Sequence, residues 1–190
     1  TQFDQAMQGS APMTDGGMGG PSMGFVFQVA GSSSQLLLET ACLAHYSHDA
    51  DPSIAMAGQV GSQVKMRVGS NWLVANVRAM VLDRHDPTKI VADIDFLGEG
   101  DEERLTGKIY GFRRGVTRYP TPGTDVYPVS SVEMNQIYAA DERANVQIGT
   151  VYPTKSTRAA LYVDAMLGKH FALLGSTGTG KSTSAALILH

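Results

Sequence analysis

Residues 175–182 read Gly175-Ser176-Thr177-Gly178-Thr179-Gly180-Lys181-Ser182, and no other stretch constrains the local fold so strongly. The apolar run Phe171-Ala172-Leu173-Leu174 precedes it, and Thr183, Ser184 and the mostly apolar residues 185–189 follow. The predicted order is buried strand, glycine-rich turn, helix, with the spacing G-x-x-x-x-G-K-[ST] of a phosphate-binding loop. Glycines permit positive φ, so that successive N–H groups converge into an anion nest. The helix that follows adds unpaired N–H groups and a dipole that favours negative charge. Gly175, Ser176, Thr177, Gly178, Thr179, Gly180, Lys181, Ser182 and Thr183 are the expected nucleotide contacts. Lys181 is the catalytic candidate, reaching the β- and γ-phosphates, and the Ser182 hydroxyl is the expected Mg²⁺ ligand. The implied cofactors are ATP and Mg²⁺. A glycine-rich turn that binds nothing is the bland alternative, and the flanking strand and helix patterns count against it.

Nine residues follow Lys181. A doubly wound nucleotide domain needs several further strand–helix units of roughly 30 residues each. The residues that complete Mg²⁺ binding and activate water normally lie on those later strands. The expectation is the opening of a larger P-loop ATPase, inactive in hydrolysis as this stretch alone.

Composition narrows the remainder. The 190 residues are 43% apolar with a net charge of −3, which is enough for a packed core and carries no overall nucleic-acid footprint. The charge is unevenly spread: residues 151–190 hold four bases against Asp164, a local +3 around the anion loop. Cys42 is the single cysteine, so no internal disulfide forms; a reducing, cytoplasmic setting is expected. No apolar run approaches the roughly 20 residues of a membrane span. The start, Thr1-Gln2-Phe3-Asp4, has no leader pattern, and a processed or trimmed terminus is expected.

Residues 1–23 carry five glycines and four methionines without periodicity, and are read as a disordered tail. From Gly24 to about Ser130 short strand patterns alternate with turns. Residues 25–30 and 35–39 flank the Gly31-Ser32-Ser33-Ser34 turn. Val64, Met66 and Val68 alternate with Lys65 and Arg67, then Gly69-Ser70-Asn71 leads into residues 72–77 as a hairpin. Ala92, Ile94 and Phe96 alternate with Asp93 and Asp95; residues 107–112 and 125–129 complete five to seven strands, the pattern of a small antiparallel barrel. Ser130 and Glu133 have capping-box spacing for a helix reaching about Ala140. A linking stretch follows from Asp141 through the Gly149-Thr150 and Tyr152-Pro153 turns, and residues 161–167 read as either strand or helical turn.

Several clusters carry competing readings. Asp93 and Asp95 are two residues apart and could form a paired-carboxylate site, but the alternation favours a solvated strand face. Glu99-Gly100-Asp101-Glu102-Glu103 reads as an exposed acidic loop, with partner docking as the alternative. His45, His48 and Asp49 have tempting metal spacing, yet they sit in loop-like sequence without a fourth ligand. Arg113, Arg114 and Arg118 form the densest basic cluster, facing a neighbouring subunit, DNA phosphate or plain solvent. Trp72 is expected in the barrel core.

Phe112-Arg113-Arg114-Gly115-Val116-Thr117-Arg118-Tyr119-Pro120-Thr121-Pro122-Gly123 resembles the F-x-R-G-[LV]-x-x-Y-P-x-P-G segment of the HerA-like ATPases. Ile148-Gly149-Thr150-Val151, Val163-Asp164 and the run from His170 to Ser182 are similar to that family's lead-in and phosphate loop. Gly58-Gln59-Val60-Gly61 through Val77 resembles the first half of its N-terminal HAS barrel. The resemblance covers about residues 24–190. It implies a hexameric HerA/FtsK-type motor that moves double-stranded DNA using ATP and works with a nuclease or other effector partner. The barrel would assist assembly and docking. The Gly/Met-rich tail departs from the family's usual short start. The expected fold is mainly β: a small antiparallel barrel followed by the start of a RecA/FtsK-like P-loop α/β domain. The expected divisions are a tail at 1–23, a barrel at 24–130, a helix and connector at 131–162, and the first strand, loop and helix of the ATPase domain at 163–190. A rotary-ATPase-like ring, or a non-catalytic oligomerisation module, remains the alternative.

Overall fold

Alternating apolar side chains become the inner wall of a closed barrel. The computed structural model describes residues 20–30, 34–140, 142–170 and 172–189. The tail expected over residues 1–23 therefore lies outside it up to residue 19, as do 31–33 of the expected turn and Phe171. The elements in chain order are β1 (Gly24–Gln28), β2 (Ser34–Glu39), α1 (Thr40–Tyr46), α2 (Pro52–Ala55), β3 (Gln63–Val68), β4 (Asn71–Leu82) and β5 (Lys89–Glu102). Then come β6 (Ile109–Arg114), β7 (Asp125–Pro128), α3 (Ser131–Ile137), β8 (Asn145–Thr150), β9 (Arg158–Tyr162), α4 (Val163–Leu167) and α5 (Lys181–Leu189).

Six strands run β2-β1-β7-β3-β4-β5, and β5 returns to pair with β2, closing an antiparallel barrel. Closure removes the open edges that a sheet of this size would otherwise expose. The mainly β fold expected from the sequence is the one observed. β5 makes closure possible through its length: Lys89 to Ile94 face β2, whereas Gly98 to Glu102 face the extra strand β6. Register shifts near Val74/Ala75, Val77/Ala79 and Glu99/Asp101 supply the bends. Gly98 is required at this corner, because a Cβ there would stand 2.2 Å from the Arg113 carbonyl oxygen.

Period-two alternation explains two cores rather than one. Val26, Leu36, Leu38, Val64, Met66, Leu73, Ala75, Ala92, Ile94 and Val126 fill the barrel. Trp72 and Val74 point the opposite way on β4 and pack with Ile109, Val129, Met134 and Ile137 under α3. Trp72 is thus fully buried, but in this second core and not in the barrel interior; its Nε1–H donates to the Gly107 carbonyl at 3.0 Å. The side of β3 that carries Lys65 is covered for the same reason, whereas Arg67 farther along it is exposed. Lys65 is 8% exposed and its Nζ lies 2.6 Å from Glu133 Oε1, while also sitting 4.7 Å from the centre of the Trp72 ring.

Glu133 belongs to the anticipated capping box. The Ser130 side chain accepts from the Glu133 N–H at 3.3 Å, and Glu133 Oε2 accepts from the Ser130 N–H at 2.9 Å. The helix stops at Ile137, short of Ala140. Residue 23 already belongs to the barrel: Met23 is fully buried, donates its N–H to the Val126 carbonyl and accepts from the Glu39 N–H, both at 2.8 Å. Burial pushes the Tyr46 hydroxyl up to about 12, so it stays a donor to the Pro21 carbonyl.

Two further expectations are corrected. The linking stretch contains an antiparallel hairpin, β8 with β9, and residues 161–167 supply both the end of β9 and all of α4. Residues 172–174 form no strand, and Leu174 is 91% exposed. A buried strand of a parallel sheet needs neighbours on both edges, and no described strand lies beside this run. No helix among the described residues is long and apolar enough to cross a membrane.

Candidate phosphate-binding loop

The nine expected contact residues lie in one continuous turn leading into α5. Gly178 and Gly180 have φ of +85° and +79°, and open space surrounds the position of a Cβ at each. Side chains rarely adopt that backbone region, so these two positions explain the glycine spacing. Gly175 is restricted by contact instead: a Cβ there would meet Thr179 Oγ1 at 2.7 Å. Thr179 closes the turn, its hydroxyl donating to the Ser176 carbonyl at 2.7 Å. The helix begins at Lys181, where the Ser184 N–H donates to the Gly180 carbonyl at 2.9 Å.

The Lys181 ammonium folds back across the loop and donates to the carbonyls of Gly175 and Ser176. Its charge therefore stands at the mouth of the turn, next to the helix N-terminus. Ser182 and Thr183 are exposed in the first turn of α5. A nucleotide phosphate fits this arrangement: the crowded position, Gly175, lacks a Cβ, the left-handed positions are glycines, and the Lys181 ammonium lies across the loop. Ser182 can offer one oxygen to Mg²⁺, with phosphate oxygens and water completing a shell of the usual kind.

The other sequence candidates serve the fold. Asp93 accepts from Gln35 Nε2 at 2.9 Å, and Asp95 lies 3.4 Å from Arg78, so each has its own partner. Glu99 to Glu102 are not a loop; they are the end of β5. Glu99 is 1% exposed and accepts from the Thr117 N–H at 3.1 Å, the Thr117 hydroxyl and Arg113 Nη2 at 2.9 Å. The Thr117 donors, followed by Arg113, hold its carboxyl below the usual glutamate range. Arg113 is thereby committed internally, whereas the Arg114 guanidinium lies 5.8 Å over the Tyr138 ring. His45 packs edge-on against Tyr46, Asp49 accepts from the Asp51 N–H at 2.8 Å, and no metal-binding group of three forms among the described residues.

Comparison with known proteins places the loop in context. The family described as helicase HerA, central domain, matches residues 146–190. That span begins on β8, so the hairpin lies inside the matched region. The DNA double-strand break repair helicase HerA of Pyrococcus furiosus is 32% identical over 128 residues, covering 63% of this chain and 22% of that protein. The chain therefore spans 22% of the length of this relative. Together the two similarities mark a HerA-like ATPase region.

Proposed function

We propose that this chain is the N-terminal part of an ATP-dependent hexameric DNA translocase or helicase. In this reading Gly175 to Thr183 bind Mg-ATP, with Lys181 on the β- and γ-phosphates and Ser182 on the metal. The barrel serves assembly and docks a nuclease or other effector, and the full-length ring acts on double-stranded DNA in the cytoplasm. The observation that carries the reading is the loop itself: two left-handed glycines, a third glycine packed against Thr179 Oγ1, and Lys181 reaching across them at the start of α5. The similarity to the DNA double-strand break repair helicase HerA of Pyrococcus furiosus supports DNA as the substrate of the motor.

Bound ATP would supply the driving force through its γ-phosphate. The chain's own contribution is electrostatic: backbone N–H groups and one ammonium in fixed positions against developing negative charge. In the full-length protein, Lys181→Ala is expected to abolish DNA-stimulated ATPase activity. Hydrolysis retained in that variant would overturn the assignment.

A further inference from the structure

A second, separate cleft of about 530 Å³ opens where β6 and the end of α3 meet the β8–β9 hairpin. Its volume is in the range of small-molecule sites. Arg114 on β6, Arg143 just before β8 and Arg158 on β9 contribute guanidinium groups to it, while Phe112, Tyr138 and Tyr162 supply aromatic walls. No Asp or Glu is among the described residues lining it. Arg114 and Arg158 have no carboxylate partner among the described residues, in contrast to Arg113 one position away. Two of the guanidiniums sit over rings: that of Arg114 lies 5.8 Å from the centre of Tyr138, and that of Arg143 lies 4.0 Å from the centre of Tyr162. A guanidinium donates in its own plane, the geometry that suits phosphate oxygens, and Arg114 and Arg158 are the two that offer it here. Cations stacked on rings beside apolar walls offer both charge for a phosphate and a flat face for a base.

We propose that this cleft binds a nucleotide, with Arg114 and Arg158 on its phosphate and the aromatic walls against its base. The nucleotide is either free or one unit of a single strand; the recognising chemistry is the same. The site lies outside the phosphate loop and does not depend on that loop being filled.

Fluorescence anisotropy on the 190-residue chain at low salt tests this with two probes, a labelled twelve-residue oligothymidylate and labelled AMP. Saturable binding is expected, and binding that survives Lys181→Ala is separated from the loop. The double variant Arg114→Gln/Arg158→Gln should weaken it at least tenfold, with an unchanged circular dichroism spectrum. Preference for the oligonucleotide assigns the source to a strand, and equal or stronger binding of AMP assigns it to free nucleotide. Should the double variant lose its fold, Ala160→Trp, which narrows the cleft without altering charge, must weaken binding to a similar extent. Absence of saturable binding by both probes, or equal affinity in the folded arginine variant, would overturn the proposal. Binding abolished by Lys181→Ala and untouched by the arginine variant would place the ligand in the phosphate loop, and would equally overturn it.

Discussion

The barrel and the phosphate loop solve opposite problems. The barrel is stable because distant residues meet: β5 pairs with β2 across fifty positions or more, and Lys65 meets Glu133 from 68 positions away. The loop is shaped by neighbours in sequence, with Thr179 bonding Ser176 and Lys181 reaching Gly175. One region is built around a fully buried apolar interior; in the other, Gly175 to Gly180 are exposed. Burial supplies stability, and exposure leaves N–H groups for a ligand. The two regions should therefore respond differently to substitution.

The largest effect is expected at Glu133. Its removal leaves the Lys65 ammonium buried without a counter-charge and takes away half of the α3 capping box. Glu133→Ala should destabilise the chain by about 3–5 kcal/mol in urea unfolding. Gly98→Val comes next. A side chain there strikes the Arg113 backbone, and a loss of about 1–3 kcal/mol is expected by the same measurement. Neither substitution touches the loop.

Gly178→Ala reverses the comparison. Space is open around Gly178, so the cost is confined to holding a side chain at positive φ, about 1–2 kcal/mol within the loop. ATP binding should weaken roughly five- to thirtyfold, while the main unfolding transition stays in place. The smallest effect is a pH dependence at Glu99. Its carboxyl is held low in the folded state, so its stabilising contribution is complete above the ordinary glutamate value of about 4.3 and fades as pH falls through the folded value. Glu99→Gln should therefore narrow its thermal-stability gap from the parent protein on going from pH 7 to pH 3.

This contrast also explains what was legible in the sequence. The loop could be read residue by residue because its geometry is local: glycine at positive φ leaves its mark at the position that needs it. Strand alternation likewise marked β3, β4 and β5, and Ser130 with Glu133 marked the start of α3. The sequence did not reveal which side of β4 was interior. Alternation separates Trp72 from Leu73, but says nothing of a helix 60 residues later that covers the second face. Glu99 was misread for the same reason. An acidic run looks exposed until Thr117 and Arg113 arrive from another part of the chain. The β8–β9 hairpin lacked a buried face, as every residue of β8 except Ile148 is exposed, so it carried little apolar signal. Residues 172–174 failed in the other direction: their apolar character matches a buried strand, and a strand needs neighbours.

Hydrogen exchange with and without Mg-ATP tests the central claim most directly. The account predicts slowed exchange confined to the amides of residues 175–183, with the barrel strands β1 to β5 and β7 unchanged, and loss of that protection in Lys181→Ala. Unchanged exchange across the loop at saturating Mg-ATP, or protection that persists without the Lys181 ammonium, would contradict it.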